Sequence, residues 1–197
     1  LGGEVGMKRE ADGSLSPYEL SINFLDALRN PDREETPTLE VARFAAAHAV
    51  AMALPGVPAI YLHSLLGSRG APHLAKATGM PRSINREKLD AATVQRELDD
   101  PTSLRARTLH ALRTLLRARR VHPAFNPSAP SRVAEAPNGV FALERGADAR
   151  VIAVHELAGR RVTFDLDTPG HDLLSGERLQ PGTLELEPYA VRWVALT

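Results

Sequence analysis

The chain has 197 residues, of which 43% are hydrophobic and 24% are charged, a composition typical of globular proteins with a substantial core. Its 24 basic and 24 acidic side chains balance, which excludes a global electrostatic attraction to nucleic acid or to an anionic membrane surface. It contains no cysteine, which excludes disulfides and thiolate chemistry. This absence agrees with a reducing compartment, so we expect a cytoplasmic protein.

The first segment, residues 1–36, is polar and punctuated by glycine. Asp12-Gly13 is typical of a turn, and the alternation in "YELSINF" predicts a short strand or extended loop. Few residues of this segment are able to fill a core. We therefore expect it to lie on a larger body.

A helix followed by a buried strand is predicted next. Thr36-Pro37 has the pattern of an N-cap followed by proline at the first helical position, and good helix formers continue to a Pro-Gly pair at residue 55. The run "VPAIYLHSLLG" shows no alternation, which favours a strand covered on both faces in a parallel sheet. A second helix is predicted after Asp100-Pro101, with an apolar stripe of Leu104, Leu109, Leu112, Leu115 and Leu116. This order is typical of an α/β fold.

The chain changes character after "VHPAFNPSAP", whose prolines indicate a linker or domain boundary. Beyond it lie the strand-like runs "RVAEA", "GVFALER", "RVIAVHEL", "RRVTFDL" and "GTLELEPYAVRWVAL". Asn138-Gly139 between the first two is a hairpin signal. The tail therefore predicts a small antiparallel β domain with Trp193, Phe141 and Phe164 in its core.

Several functional classes find little support in the sequence. The apolar stretch 41–66 carries Arg43, His48 and two prolines, so no helix in it is expected to cross a bilayer. No histidine spacing brings two rings onto one metal ion, so we expect no metal site, and His48 is interpreted as a buried, hydrogen-bonded helix residue. The arginines of "SLRARTLHALRTLLRARR" occupy the polar side of an amphipathic helix, which disfavours nucleic-acid binding. Phosphate-cradling glycine motifs and the G-x-S-x-G nucleophile motif are absent.

The position of polar residues after the predicted strand is the remaining evidence for a functional site. The predicted strand ends in His63 and Ser64, and in a closed parallel barrel the residues beyond the carboxyl ends of the strands form the active site. The loop "TGMPRSINREKLD" then supplies Arg82 and Arg86, which can hold a carboxylate in a fixed bidentate geometry. From spacing alone, pairing of both arginines with surface carboxylates remains the favoured alternative.

Three motifs in order, "SPYELSINFLDALRN", "LPGVPAIYLHSLLGSR" and "TGMPRSINREKLD", followed by a proline-rich linker and β domain, resemble the C-terminal part of the sucrose phosphorylase group of glycoside hydrolase family 13, the α-amylase family. The resemblance implies an α/β plus all-β fold. It makes the chain the C-terminal piece of a (β/α)8 barrel, with the seventh helix, an eighth strand over residues 56–66 and the eighth helix, followed by a small antiparallel β domain. It also implies domain limits of 1–35 for part of an inserted subdomain over the active site, 36–122 for the barrel and 123–197 for the β domain.

The resemblance implies a retaining α-glucoside phosphorylase that transfers glucose from sucrose or a related α-glucoside to phosphate and releases α-D-glucose 1-phosphate. The family's catalytic carboxylates precede the part of the fold that this chain resembles. We therefore expect no catalytic residue in this chain and no activity from it alone. The expected partners are the α-glucoside, inorganic phosphate and the missing N-terminal barrel half, without nucleic acid, membrane or cofactor, and a homodimer is left open.

Residue by residue, the resemblance makes Arg82 the arginine that holds the transferred glucosyl unit together with an upstream aspartate. It makes Tyr18 the tyrosine of a mobile acceptor loop. Ser16 and Glu19 stand where sucrose-specific members carry aspartate and glutamine, which favours glucosylglycerate or sucrose 6'-phosphate over plain sucrose. His63 and Arg86 are further expected substrate-binding residues.

Two alternatives remain open from the sequence. One is a related family 13 hydrolase or transglucosylase that delivers glucose to water or to another sugar. The other is a non-enzymatic sugar-binding or interaction module.

Overall fold

The computed structural model describes residues 2–32 and 34–197. The α-helices of the described chain are α1 Phe24–Ala27, α2 Pro37–Ala53, α3 Leu62–Leu65, α4 Pro72–Thr78, α5 Ala91–Asp99 and α6 Leu104–Val121, with 3₁₀ helices at Pro81–Asn85 and Pro123–Phe125. The strands are β1 Glu4–Arg9, β2 Leu15–Ser21, β3 Ser131–Ala134, β4 Val140–Arg145, β5 Val151–Glu156, β6 Val162–Leu166, β7 Gly170–Asp172, β8 Arg178–Leu179, β9 Gly182–Leu186 and β10 Val191–Leu196.

The chain divides into two compact units. The first consists of Leu1–Glu35 and Ile60–Leu109, and the second of Thr36–Ala59 and His110–Thr197. The predicted domain limits follow the chain continuously, whereas these units are each built from separated segments. The limits 1–35, 36–122 and 123–197 therefore stay a prediction about the domains of a complete fold.

In the first unit, strands β1 and β2 form an antiparallel hairpin, as the alternation around Tyr18 predicts. Gly6 lies opposite Glu19 and Met7 opposite Pro17, so Tyr18 is an extra residue on β2. Such a β-bulge places the side chains of the extra residue and its neighbour on nearly the same side of the strand. The bulge thus brings Tyr18 beside Glu19.

The predicted eighth strand over residues 56–66 is not a strand in the structure. Tyr61 is extended, with φ −67° and ψ 140°, and α3 begins at the next residue. None of the described strands pairs with this stretch, and a strand is stable only when its backbone groups are paired with a neighbouring strand. The sequence pattern therefore indicates a segment suited to a sheet whose neighbouring strands the described chain does not supply.

In the second unit, helix α2 begins as predicted. The Thr36 hydroxyl accepts a hydrogen bond from the Leu39 backbone N–H at 3.3 Å, and Pro37 is the first helical residue. His48 is buried, and its Nδ1 lies 3.0 Å from the Phe44 carbonyl oxygen, as expected of a satisfied core histidine.

The β domain is antiparallel. One sheet has the strand order β3-β4-β5-β10-β7-β8, and β6 pairs with β9. Trp193 is fully buried and Phe164 nearly so, as predicted, whereas Phe141 is only half-buried. Phe125 of the proline-rich segment also packs in this unit, with its ring centroid 4.6 Å from that of Trp193.

The last predicted strand-like run is two strands, β9 and β10, separated by a turn. Tyr189 in that turn has a φ of 59°, a conformation that disfavours most side chains. The buried Glu156 carboxylate accepts hydrogen bonds from the backbone N–H groups of Tyr189, Ala158 and Gly159 at 2.7, 2.6 and 3.0 Å. Glu156 thereby stabilises two turns of the domain at once.

Candidate substrate cleft

A cleft of about 320 Å³ opens in the first unit. It is lined by Glu19, Leu20, Ser21, Tyr61, Arg82, Asn85 and Arg86. Three of the predicted substrate-binding residues, Glu19, Arg82 and Arg86, therefore meet on one surface.

The centre of the cleft is an ion pair between Arg82 and Glu19. The Arg82 Nε and Nη2 atoms donate to the same oxygen, Oε2 of Glu19, at 3.2 and 3.1 Å. The carboxylate of Glu19, and to a lesser degree the nearby Tyr18 hydroxyl, raise the pKa of Arg82 above its usual value. Both side chains stay partly exposed. Tyr18 also hydrogen-bonds with the Arg82 side chain, so Arg82, Glu19 and Tyr18 form one polar cluster whose arginine and carboxylate stay accessible to a ligand.

The bulge in β2 explains how Tyr18 reaches this pair. Tyr18 is 62% exposed and follows Pro17, which limits the backbone before it. Gly6 lies opposite, and a Cβ atom at Gly6 would sit 3.4 Å from the Glu19 carbonyl oxygen and 3.9 Å from the Tyr18 ring. The hairpin therefore presents Tyr18 and Glu19 together, on the side where Arg82 lies.

Three predicted residues, Tyr18, Ser16 and His63, are not among the residues that line the cleft, although Tyr18 lies close enough to Arg82 to raise its pKa. The Ser16 hydroxyl donates to Glu10 Oε1 at 2.5 Å, so it is engaged within its own hairpin. His63 is buried in α3, with its ring centroid 5.2 Å from that of Tyr61.

Four residues of the cleft lining were not predicted from the sequence, Leu20, Ser21, Tyr61 and Asn85, and the last two contact each other. The Tyr61 hydroxyl donates to the Asn85 carbonyl oxygen at 2.7 Å. Tyr61 stands in a run that the sequence indicates as a buried strand, and Asn85 stands in a loop in which only the arginines attract attention. The available signal was the spacing of Asn85 three residues after Arg82, which places both on one face of a 3₁₀ helix.

The arrangement is suited to binding rather than to proton transfer. Each sugar hydroxyl both donates and accepts hydrogen bonds, so guanidinium donors beside a carboxylate acceptor can bind neighbouring hydroxyl groups. Glu19 is the one carboxylate among the described residues that line this cleft, and it is paired with Arg82. The chemistry that this surface supports is orientation of a polyhydroxyl or anionic ligand.

The chain is similar to curated glucosylglycerate phosphorylases. It is 36% identical over 193 residues to the glucosylglycerate phosphorylase of Allomeiothermus silvanus, a match that covers 98% of this chain and 34% of that protein. It is 33% identical over 196 residues to the glucosylglycerate phosphorylase of Escherichia coli, covering 98% of this chain and 35% of the relative. The chain spans about a third of the length of these relatives and matches the C-terminal part.

A solved structure extends the comparison to the fold. The crystal structure of sucrose 6F-phosphate phosphorylase from Thermoanaerobacter thermosaccharolyticum aligns with a TM-score of 0.64 and 18% identity, covering 94% of this chain and 34% of that one. No family model matches the chain. Among the described helices, none combines the length and the apolar character needed to span a membrane.

Proposed function

Because this chain is a member of the sucrose phosphorylase-like glucoside phosphorylases of family 13 and matches their C-terminal part, we propose that it supplies part of the substrate site of a retaining α-glucoside phosphorylase. The complete protein transfers glucose from an α-glucoside to inorganic phosphate and releases α-D-glucose 1-phosphate. The two carboxylates of the retaining mechanism, about 5 Å apart, are contributed by the part of the fold that precedes the matched region in the family.

The observation that carries the proposal is the Arg82–Glu19 pair. The contacts of Nε and Nη2 with Glu19 orient the planar guanidinium of Arg82 while the side chain stays partly exposed, so it presents its donors to a ligand in a preferred direction. A donor oriented in this way can bind a hydroxyl of the transferred glucose throughout the reaction. Contacts that persist while the ring flattens towards the oxocarbenium-like state lower the barrier of the chemical step.

Glucosylglycerate is the proposed glucoside. The relatives with the highest coverage of this chain are named glucosylglycerate phosphorylase. In addition, Ser16 and Glu19 differ from the aspartate and glutamine that the resemblance associates with sucrose. Arg86 adds a second guanidinium to the cleft wall, and a glycerate carboxylate or a phosphate is the kind of anion that arginine binds bidentately.

The remaining assignments are parts of the same proposal. Tyr18 and Ser16, which lie on strand β2 rather than in a loop, belong to the acceptor side of the site, and His63, buried in α3, is the remaining proposed substrate-binding residue. The partners are the glucoside, phosphate and the barrel portion that this chain lacks, and we place the protein in the cytoplasm.

The proposal is tested by incubating the full-length protein with phosphate and, in separate reactions, with glucosylglycerate, sucrose or sucrose 6'-phosphate. We expect α-D-glucose 1-phosphate, with the highest kcat/KM for glucosylglycerate. Free glucose in place of glucose 1-phosphate would make the protein a hydrolase, and a new oligosaccharide would make it a transglucosylase. Absence of any turnover with all three glucosides would contradict the proposal.

An arginine variant tests the role of the cleft in the same assay. Arg82→Lys keeps the charge but loses the planar fork, so we expect kcat/KM to fall about a hundredfold or more, which corresponds to roughly 3 kcal/mol. The matched control is Arg132→Lys, which changes a surface ion pair with Glu144 in the β domain and should leave kcat/KM unchanged. A near-parental kcat/KM in Arg82→Lys would show that Arg82 forms only a surface ion pair and does not bind substrate.

A further inference from the structure

The 3₁₀ helix Pro81–Asn85, which we call the arginine segment, is held at three consecutive residues. The Ser83 hydroxyl accepts a hydrogen bond from Thr78 Oγ1 at 2.8 Å. The Ile84 carbonyl oxygen accepts from the Ala71 backbone N–H at 2.8 Å, and the Ile84 side chain is 1% exposed. Asn85 makes the third attachment. Arg82, by contrast, is exposed and depends on Glu19 for its orientation.

Asn85 differs from the other two attachments because it joins the arginine segment to the strand that carries Glu19. Its Nδ2 donates to the Ile22 carbonyl oxygen at 3.2 Å, and Ile22 directly follows β2. Its own carbonyl oxygen accepts from the Tyr61 hydroxyl at 2.7 Å. One residue thus connects the arginine segment, the end of β2 and the extended stretch before α3.

The orientation of the Asn85 side chain rests on a single bond. Its Oδ1 atom is buried and has no hydrogen-bond partner within the described chain. An amide with one satisfied donor and a buried, unsatisfied acceptor does not optimise stability by itself. A buried unsatisfied acceptor calls for an explanation other than stability, and Asn85 lies on the same face of the 3₁₀ helix as Arg82.

We propose that Asn85, held by Tyr61, is a positioning residue that sets the distance between Arg82 and Glu19. The inference rests on the proposed function, since the distance matters because Arg82 and Glu19 bind the glucoside. Although Asn85 lines the cleft, this role is exerted through Arg82 and needs no contact between Asn85 and the glucoside or phosphate. It acts by keeping the arginine segment in register with β2, so that both nitrogens of Arg82 reach one Glu19 oxygen.

The mildest test removes only the tyrosine hydroxyl. The bond between Tyr61 and the Asn85 carbonyl oxygen is exposed, so in full-length Tyr61→Phe water can replace the lost hydroxyl. The melting temperature should therefore stay within about 2 °C of the parent. Displacement of the arginine segment should nevertheless lower kcat about 5- to 20-fold with a smaller change in KM, since small misplacements penalise the reacting geometry most. The matched control, Tyr189→Phe, removes a hydroxyl in the β domain and should change neither.

Asn85→Asp is the stronger variant. It replaces the donor to the Ile22 carbonyl oxygen with an acceptor of the same shape, and we expect a larger loss of kcat than in Tyr61→Phe. Each variant is also combined with Arg82→Lys. If Asn85 acts through Arg82, the Tyr61→Phe change has no further effect on kcat once Arg82 is lysine. Additive losses would overturn the proposal, as would parental kcat in both single variants.

A readout without turnover separates this proposal from the proposed function. Amide hydrogen exchange of residues 19–22 and 82–86 is compared between the parent, Tyr61→Phe and Tyr189→Phe. We expect faster exchange in both segments for Tyr61→Phe alone. If the parent shows no phosphorylase activity, the proposed function fails while the exchange result still decides whether Asn85 couples the two segments. Unchanged exchange in Tyr61→Phe would overturn the coupling itself.

Discussion

Arg82 and Glu19 are 63 residues apart in the sequence, yet in the structure two nitrogen atoms of Arg82 donate to one carboxylate oxygen of Glu19. The sequence singled out each residue separately, Arg82 as the glucose-holding arginine and Glu19 as a departure from the sucrose pattern. Their pairing was not predictable, because long-range pairs depend on how the hairpin and the arginine segment fold together. The resemblance had instead assigned Arg82 an upstream aspartate as its partner, and that assignment stays a prediction about the complete protein.

Among the histidines of the described chain, His155 has the pKa that departs most from its ordinary value. Its Nε2 accepts a hydrogen bond from the Trp193 indole N–H at 3.3 Å, so its Nδ1 carries the proton that faces the Phe141 carbonyl oxygen at 3.1 Å. Burial lowers the pKa of His155 to about 4, although hydrogen bonds to the Phe141 and Ala49 backbones oppose the shift. The folded protein therefore holds His155 neutral over most of the acidic range.

We predict that stability falls as the pH is lowered from 6.5 towards 4. In that window the unfolded chain binds a proton at His155 and the folded chain does not, so the free energy of unfolding decreases by about 2 kcal/mol between pH 7.5 and pH 5. Urea unfolding at both pH values measures the change. The burial of His48 and His122 lowers the pKa of each and acts in the same direction.

The contribution of His155 is isolated with His155→Gln, which keeps a polar side chain without a titrating group. This variant should lose less stability on acidification than the parent does. An identical loss in both proteins would assign the pH dependence to other groups.

At the scale of elements, the C-terminal end of α2 is held by two arginines that come from elsewhere in the second unit. Arg119 of α6 donates to the carbonyl oxygens of Met52 and Gly56, and Arg145 of β4 donates to those of Ala53 and Asn126 at 2.8 and 2.9 Å. The last carbonyl groups of a helix lack partners within the helix. Arg145 is 0% exposed, and its burial, together with repulsion from Arg119, lowers its pKa.

We predict that Arg145→Met destabilises the protein by about 2–4 kcal/mol, because it leaves the buried Ala53 carbonyl oxygen without its arginine donor and also removes the partly buried hydrogen bond to Asn126. Thermal or urea unfolding measures the effect. Arg132→Met on the neighbouring strand β3 is the matched control, since Arg132 is largely exposed and surface ion pairs contribute little. Equal stability of the two variants would show that Arg145 does not hold the helix end.

At the scale of the whole molecule, the described cleft contains one carboxylate, Glu19, and it is paired with Arg82. Retaining glycoside chemistry needs two carboxylates on either side of the scissile bond. We therefore predict that the 197-residue chain alone releases no glucose 1-phosphate from glucosylglycerate and phosphate, whereas the full-length protein does. Turnover by the isolated chain, reduced by Glu19→Gln, would show instead that the chain carries its own catalytic group.

Local patterns were sufficient wherever a few neighbouring residues determine the structure. The N-cap at Thr36, the hairpin turn at Asn138-Gly139 and the buried Trp193 follow from capping, turn chemistry and hydrophobicity, and the structure confirms them. The family membership predicted from the three motifs is also confirmed. The three motifs are recognised by their residues and by their order along the chain, and both can be read from the sequence without knowledge of the fold.

Only the tertiary structure decided the features that depend on partners distant in sequence. Residues 57–61 have the composition of a buried strand but lack paired neighbours in the described chain, and the bulge that aligns Tyr18 with Glu19 depends on the register with β1. The junction of Tyr61, Asn85 and Ile22 likewise joins three separate segments. Sequence determines which groups are present and their local conformational preferences, whereas hydrogen bonds between remote segments exist only once the chain has folded and their backbone groups come within about 3 Å of one another.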